Sequence, residues 1–143
     1  MKMLIDVWKG RDIATSDVSG AYLHADMEDF TLLMLEGEAV DITCIVNKKY
    51  EKFICWERGK KVMYLRLLKA LYGCVKSSLF WYELFKTALK DLGFKSNPYD
   101  ECVANKTING KQCTIAWHVD DNNISHVDSK VVTEVISSIE DKF

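Results

Sequence analysis

Residues 102–127 leave this chain little freedom of fold. Asn109-Gly110 is the strongest two-residue hairpin signal in it, because both residues accept the positive φ that a primed turn needs. The pair joins a β-prone run from Cys102 through Ile108 to a second run from Gln112 to Val119, and Ile124-Ser125-His126-Val127 can return beside that one. The result is an antiparallel meander. Its second run ends on Asp120-Asp121-Asn122-Asn123, which concentrates negative charge at a strand end. Two adjacent carboxylates are costly there unless a cation or solvent receives them. Either the pair holds a metal ion, or Asp-Asp-Asn-Asn is a polar hairpin tip built from good turn residues.

The remaining segments supply more strands and two good helices. Ile13-Ala14-Thr15-Ser16-Asp17-Val18 predicts a short strand before the turn signal Ser19-Gly20, which puts Asp17 near a strand's C-terminal end. One or two helical turns fit residues 21–29, and Phe30-Thr31-Leu32-Leu33-Met34-Leu35 is a strand stopped by Glu36-Gly37. A helix is expected from Val40 through Phe53. Glu57-Arg58-Gly59-Lys60 then turns a hairpin between residues 53–56 and 62–65. Trp81, Leu84, Phe85, Ala88, Leu89 and Leu92 recur at the three-and-four spacing of one buried face, giving a helix from Ser77 or Ser78 to Leu92, with Ser77 as N-cap and Gly93 as stop. Asp128 or Ser129 caps a last helix, Val132, Val135, Ile136 and Ile139 facing inward, that continues to Phe143. Strands mixed with helices and hairpins predict an α+β layer, helices on one face of a largely antiparallel sheet, in one domain over residues 1–143.

Composition narrows the class further. With 48% hydrophobic and 11% aromatic residues the chain can fill a core, so disorder is excluded. No stretch approaches a membrane span or a secretory signal, which predicts an intracellular protein with no membrane partner. The five cysteines are odd in number and never in a Cys-x-x-Cys pair, so neither a disulfide framework nor a zinc site is expected. His24, His118 and His126 have no ligand spacing with them, and Trp8, Trp56, Trp81 and Trp117 are expected in the core. The net charge of −2 conceals a segregation: residues 48–76 carry nine basic and two acidic side chains between two acidic flanks. Those cations are either a track for a phosphate backbone or an ordinary solvated surface.

A strand ending at Asp17 could lie beside the hairpin of Asp120 and Asp121 and bring three carboxylates together. Oxygen-only clusters suit Mg²⁺ or Mn²⁺, and the chemistry that uses such ions is phosphoryl transfer. At this point the motifs resemble a family. Asp17-Val18-Ser19-Gly20-Ala21-Tyr22-Leu23, Leu71-Tyr72-Gly73 leading to Trp81-Tyr82, Leu92-Gly93-Phe94 and Val119-Asp120-Asp121, in that order, are similar to the reverse transcriptases of copia-type (Ty1-like) LTR retrotransposons.

The resemblance implies a ferredoxin-like polymerase palm with part of the fingers, the thumb and ribonuclease H being expected outside these residues. It implies an RNA-directed DNA polymerase with Asp17, Asp120 and Asp121 as catalytic metal ligands, Asp17 and Asp120 being direct ligands of both ions. Tyr22 would lie under the incoming sugar, and Gly73 and Lys76 would belong to the segment beneath the nucleotide. Template-primer of RNA or DNA, deoxynucleoside triphosphates and other parts of a retrotransposon polyprotein would be the partners. Three positions depart from the family: His118 stands where Tyr is usual, Lys76 where Gln is, and Leu79 where Arg is. An inactive retroelement remnant, or a module that binds nucleic acid without catalysis, is the alternative.

Overall fold

The computed structural model describes residues 2–143, and the chain runs α1 (Lys2–Trp8), β1 (Asp12–Asp17), α2 (Ala21–His24), β2 (Leu32–Glu36), α3 (Glu38–Val46), a 3-10 helix (Lys48–Phe53), β3 (Ile54–Glu57), β4 (Lys60–Arg66), α4 (Ser77–Asp91), β5 (Lys95–Ser96), β6 (Val103–Ile108), β7 (Lys111–His118), β8 (Asp121–His126) and α5 (Ser129–Glu140). The expected meander is β6, β7 and β8, with Asn109 and Gly110 at φ 51° and 71° in the first turn. It forms the centre of a five-stranded antiparallel sheet of order β1-β8-β7-β6-β5.

Register decides which side of that sheet is core. Ala14, Ile124, Ile115 and Ala104 lie opposite one another across β1, β8, β7 and β6, so they share one face. Trp81, Phe85 and Leu89 of α4 and Val131, Val132, Val135 and Ile139 of α5 are buried in the same cluster. The other face is polar. Ser125 and Thr114 are buried on it because α1 brings Asp6 there: Ser125 Oγ donates to Asp6 Oδ1 at 2.9 Å, and Arg11 donates to both Asp6 and Thr114 at 3.2 Å. That network lies four residues along β8 from Asp121, roughly 13 Å away at strand rise.

The second sheet has the order β2-β4-β3 and packs α3 against β2 and β4, with Val40 and Met63 fully buried. Two connections that run side by side join it to the first: Ala70 N–H donates to Ala25 O, Met27 N–H to Leu68 O, and Leu67 N–H to Thr31 O, at 2.9–3.0 Å. On β2 and β4, Leu32, Met34 and Tyr64 share the face register assigns them and are 51%, 51% and 39% exposed.

Several expectations are corrected. The helix foreseen from Val40 through Phe53 is divided at Asn47, whose extended backbone and side chain, accepting from Lys49 N–H at 3.0 Å, start a separate 3-10 helix. Ser77 is not the N-cap of α4. It is the first helical residue, buried, and its hydroxyl donates to Leu71 O and accepts from Leu71 N–H, tying the preceding loop to the helix. The last helix ends at Glu140, and Phe143 folds back onto Trp81 and Phe85. Trp81 and Trp117 are core residues, but Trp8 and Trp56 are 84% and 69% exposed, because α1 docks through Asp6 and β3 is the edge strand of a small sheet.

The C-terminus of α4 shows a stop with a measurable worth. Gly93 has φ 85°, and Lys106 Nζ donates to Leu92 O at 2.8 Å, occupying a carbonyl that the helix leaves open. Gly93→Ala should therefore cost about 1 kcal/mol in urea unfolding, as a side chain forced to positive φ does. An unchanged midpoint would mean that the turn relaxes freely.

Candidate active site

The polar face of the five-stranded sheet brings the sequence-predicted carboxylates to one end. Asp17, last residue of β1, pairs with Asp121, first residue of β8, and Asp121 pairs with His118 at the end of β7. Directly opposed residues share a face, so Asp17, Asp121 and His118 form one row across three strands. Asp17 and Asp121 are exposed and Asp120 is half-buried. Asp120 stands beside the row on the turn.

That turn is not the Asp-Asp-Asn-Asn tip expected from composition. It is Val119-Asp120, with Asp121, Asn122 and Asn123 already in β8. The placement sets the alternation: Asp121 falls opposite Asp17 on the polar face, and Asn122 falls opposite Trp117 on the buried one. Val119 takes φ 56°, which a β-branched residue adopts only under compulsion. The compulsion is visible. Trp81 Nε1–H donates to Val119 O at 2.6 Å, while Asp120 O accepts from Val18 N–H and from Asn122 Nδ2, both at 3.1 Å.

Tyr22, in α2, stacks on Tyr72 with centroids 4.2 Å apart and an interplanar angle of 29°. The Tyr72 hydroxyl in turn donates to Asp120 Oδ2 at 3.4 Å. Desolvation, then the charge and hydrogen bond of Asp120, hold that hydroxyl above the usual phenol range, so it remains a donor. Tyr72 thus links Tyr22 to the carboxylates, a part that no local pattern announced. Gly73 is exposed at φ 93° with open space where a Cβ would stand, so it serves the turn rather than a close approach. Lys76 is ion-paired with Asp29 at 2.7 Å. Tyr82 hydrogen-bonds Glu101, and Lys86 donates to both, bracing the segment before β6 against α4.

Among the described residues, Asp17, Asp120 and Asp121 have no ion-pair partner, although Lys60, Lys61, Lys69 and Lys76 are paired with Glu36, Asp41, Asp26 and Asp29. The basic segment is therefore a set of local pairs as much as a positive surface. Also among the described residues, no three His, Cys, Asp or Glu side chains are close enough to hold an ion by themselves. The donor set nevertheless fits Mg²⁺ or Mn²⁺ in kind: hard oxygens, at least partly accessible, with no ion-pair partner among the described residues. Those ions are bound through one or two carboxylates and completed by water and substrate phosphates.

A family model described as reverse transcriptase (RNA-dependent DNA polymerase) matches residues 1–143. No curated protein and no solved structure was found to match the chain. None of the described helices is long and apolar enough to cross a membrane.

Proposed function

Because this chain belongs to the reverse transcriptase (RNA-dependent DNA polymerase) family, we propose that it is the palm, with part of the fingers, of an RNA-directed DNA polymerase encoded in a copia-type retrotransposon polyprotein. The observation that carries this reading is the register that sets Asp17 opposite Asp121, with Asp120 next to it on the turn, none of the three having an ion-pair partner among the described residues, at one end of the sheet face that α1 leaves uncovered. Asp17 and Asp120 would hold Mg²⁺ or Mn²⁺, with Asp121 opposite Asp17 in the row. When bound, such ions activate a primer 3′-hydroxyl and stabilise the leaving pyrophosphate oxygen.

The protein's own share is positioning. Trp81, Val18 and Asn122 fix the turn that presents Asp120, and Tyr72 orients one of its oxygens. The Tyr22 ring, stacked on Tyr72, would supply a rigid floor for a sugar and crowd a 2′-substituent. Template-primer and deoxynucleoside triphosphates are the substrates on this reading. Extension of a DNA primer on an RNA template, dependent on Mg²⁺ or Mn²⁺, tests it. A chain that retains primer-template but never extends it would instead be the remnant or a simple binding module.

A further inference from the structure

We propose that Asn122 is a positioning residue for Asp120, retained at the expense of core packing. Ser16, Asn122 and Trp117 lie side by side across β1, β8 and β7 on the core face, and Asn122 is only 2% exposed. Its Nδ2 donates to the Asp120 carbonyl at 3.1 Å, which fixes the amide and turns Oδ1 the other way. There Asn122 Oδ1 and Ser16 Oγ are both buried with no hydrogen-bond partner among the described residues. Burying two polar atoms in this condition is destabilising, and an aliphatic pair of similar shape would avoid it.

An aliphatic side chain cannot supply the donor to Asp120. That donor matters because the turn has no conformational preference of its own: Val119 sits at φ 56° only because its neighbours hold it there. Trp81 secures the Val119 carbonyl from the helix side, and Val18 N–H reaches the Asp120 carbonyl from just past the end of β1. Asn122 adds the second donor on the same oxygen, from inside the sheet. Fixing the plane of that peptide fixes the direction in which the Asp120 carboxylate leaves the backbone. The assignment rests on the polymerase reading of Asp17 and Asp120.

The test compares wild type with Ser16→Ala/Asn122→Leu, Ser16→Ala and Asp17→Asn, using thermal melting, Mn²⁺ titration by electron paramagnetic resonance, and hydrogen exchange of the Trp81 indole. The double variant should melt at or above the wild-type temperature, bind Mn²⁺ roughly tenfold more weakly, and exchange the indole proton faster. Ser16→Ala alone should keep wild-type Mn²⁺ affinity. A core residue without a positioning part would move melting and leave the other two readouts alone. Should the double variant not fold, Asn122→Ala removes the same donor without demanding space. If Asp17→Asn abolishes Mn²⁺ binding but the Asn122 variants do not weaken it, only this assignment falls. If Asp17→Asn leaves binding unchanged, the polymerase reading falls, and this assignment with it.

Discussion

Asp120→Asn is expected to lower Mg²⁺-dependent primer extension at least roughly a thousandfold, and Asp17→Asn to do the same, because each removes a charged oxygen donor that an ion needs. Neither change should weaken the fold. Asp17 and Asp121 face one another across β1 and β8 with Asp120 beside them, and none has an ion-pair partner among the described residues, so like charges adjoin and no ion pair is broken by a neutral substitution. Neutralising one removes repulsion without leaving an orphaned cation. The melting temperature should stay level or rise slightly. Primer extension and thermal melting on the same preparations check both halves, and Asp120→Asn activity within tenfold of wild type would sink the proposed metal role.

Trp81→Ala should give the largest loss of stability in the chain, about 3–5 kcal/mol. The ring is 1% exposed and packs on Phe85, Phe143 and His24, so truncation opens a cavity where α4, α2 and the C-terminal residues meet. Trp81→Phe separates packing from hydrogen bonding. It keeps most of the ring but leaves the Val119 carbonyl without its indole donor, at a cost of about 1–3 kcal/mol. Urea unfolding of the two variants measures the difference. If Trp81→Phe were neutral, the indole bond would contribute nothing to the turn.

Much of this arrangement was legible in the sequence because it is written in short-range chemistry. Asn109-Gly110 marks its hairpin since both residues tolerate positive φ, and the apolar spacing of α4 marks its buried face. What escaped was set by distant partners. A local view gives the tight turn to Asp and Asn alone, yet the structure sets it at Val119-Asp120, because an indole, the Val18 amide and the Asn122 side chain override the local preference. Ser77 has the composition of a cap but is claimed by Leu71, six residues earlier. The basic run left open a phosphate track or an ordinary solvated surface, and only the fold shows Lys60, Lys61, Lys69 and Lys76 each beside an acid from an earlier part of the chain. The nearness of Asp17 to Asp121 was open to expectation from the strand layer and the order of motifs, but no spacing rule reaches across so much chain, and it is the β1–β8 register that makes them neighbours.

The compelled valine has one more consequence. A turn that is stable only while three partners hold it will open before the sheet does, since local opening needs less free energy than global unfolding. Damage deep in the helical layer, such as a lost methyl group near Phe85 or a shifted Phe143, would then reach Asp120 through Trp81 while the bulk of the protein still registers as folded. The carboxylate end of the sheet acts as a fuse: it fails first, and its failure reports on packing in the helical layer directly behind it.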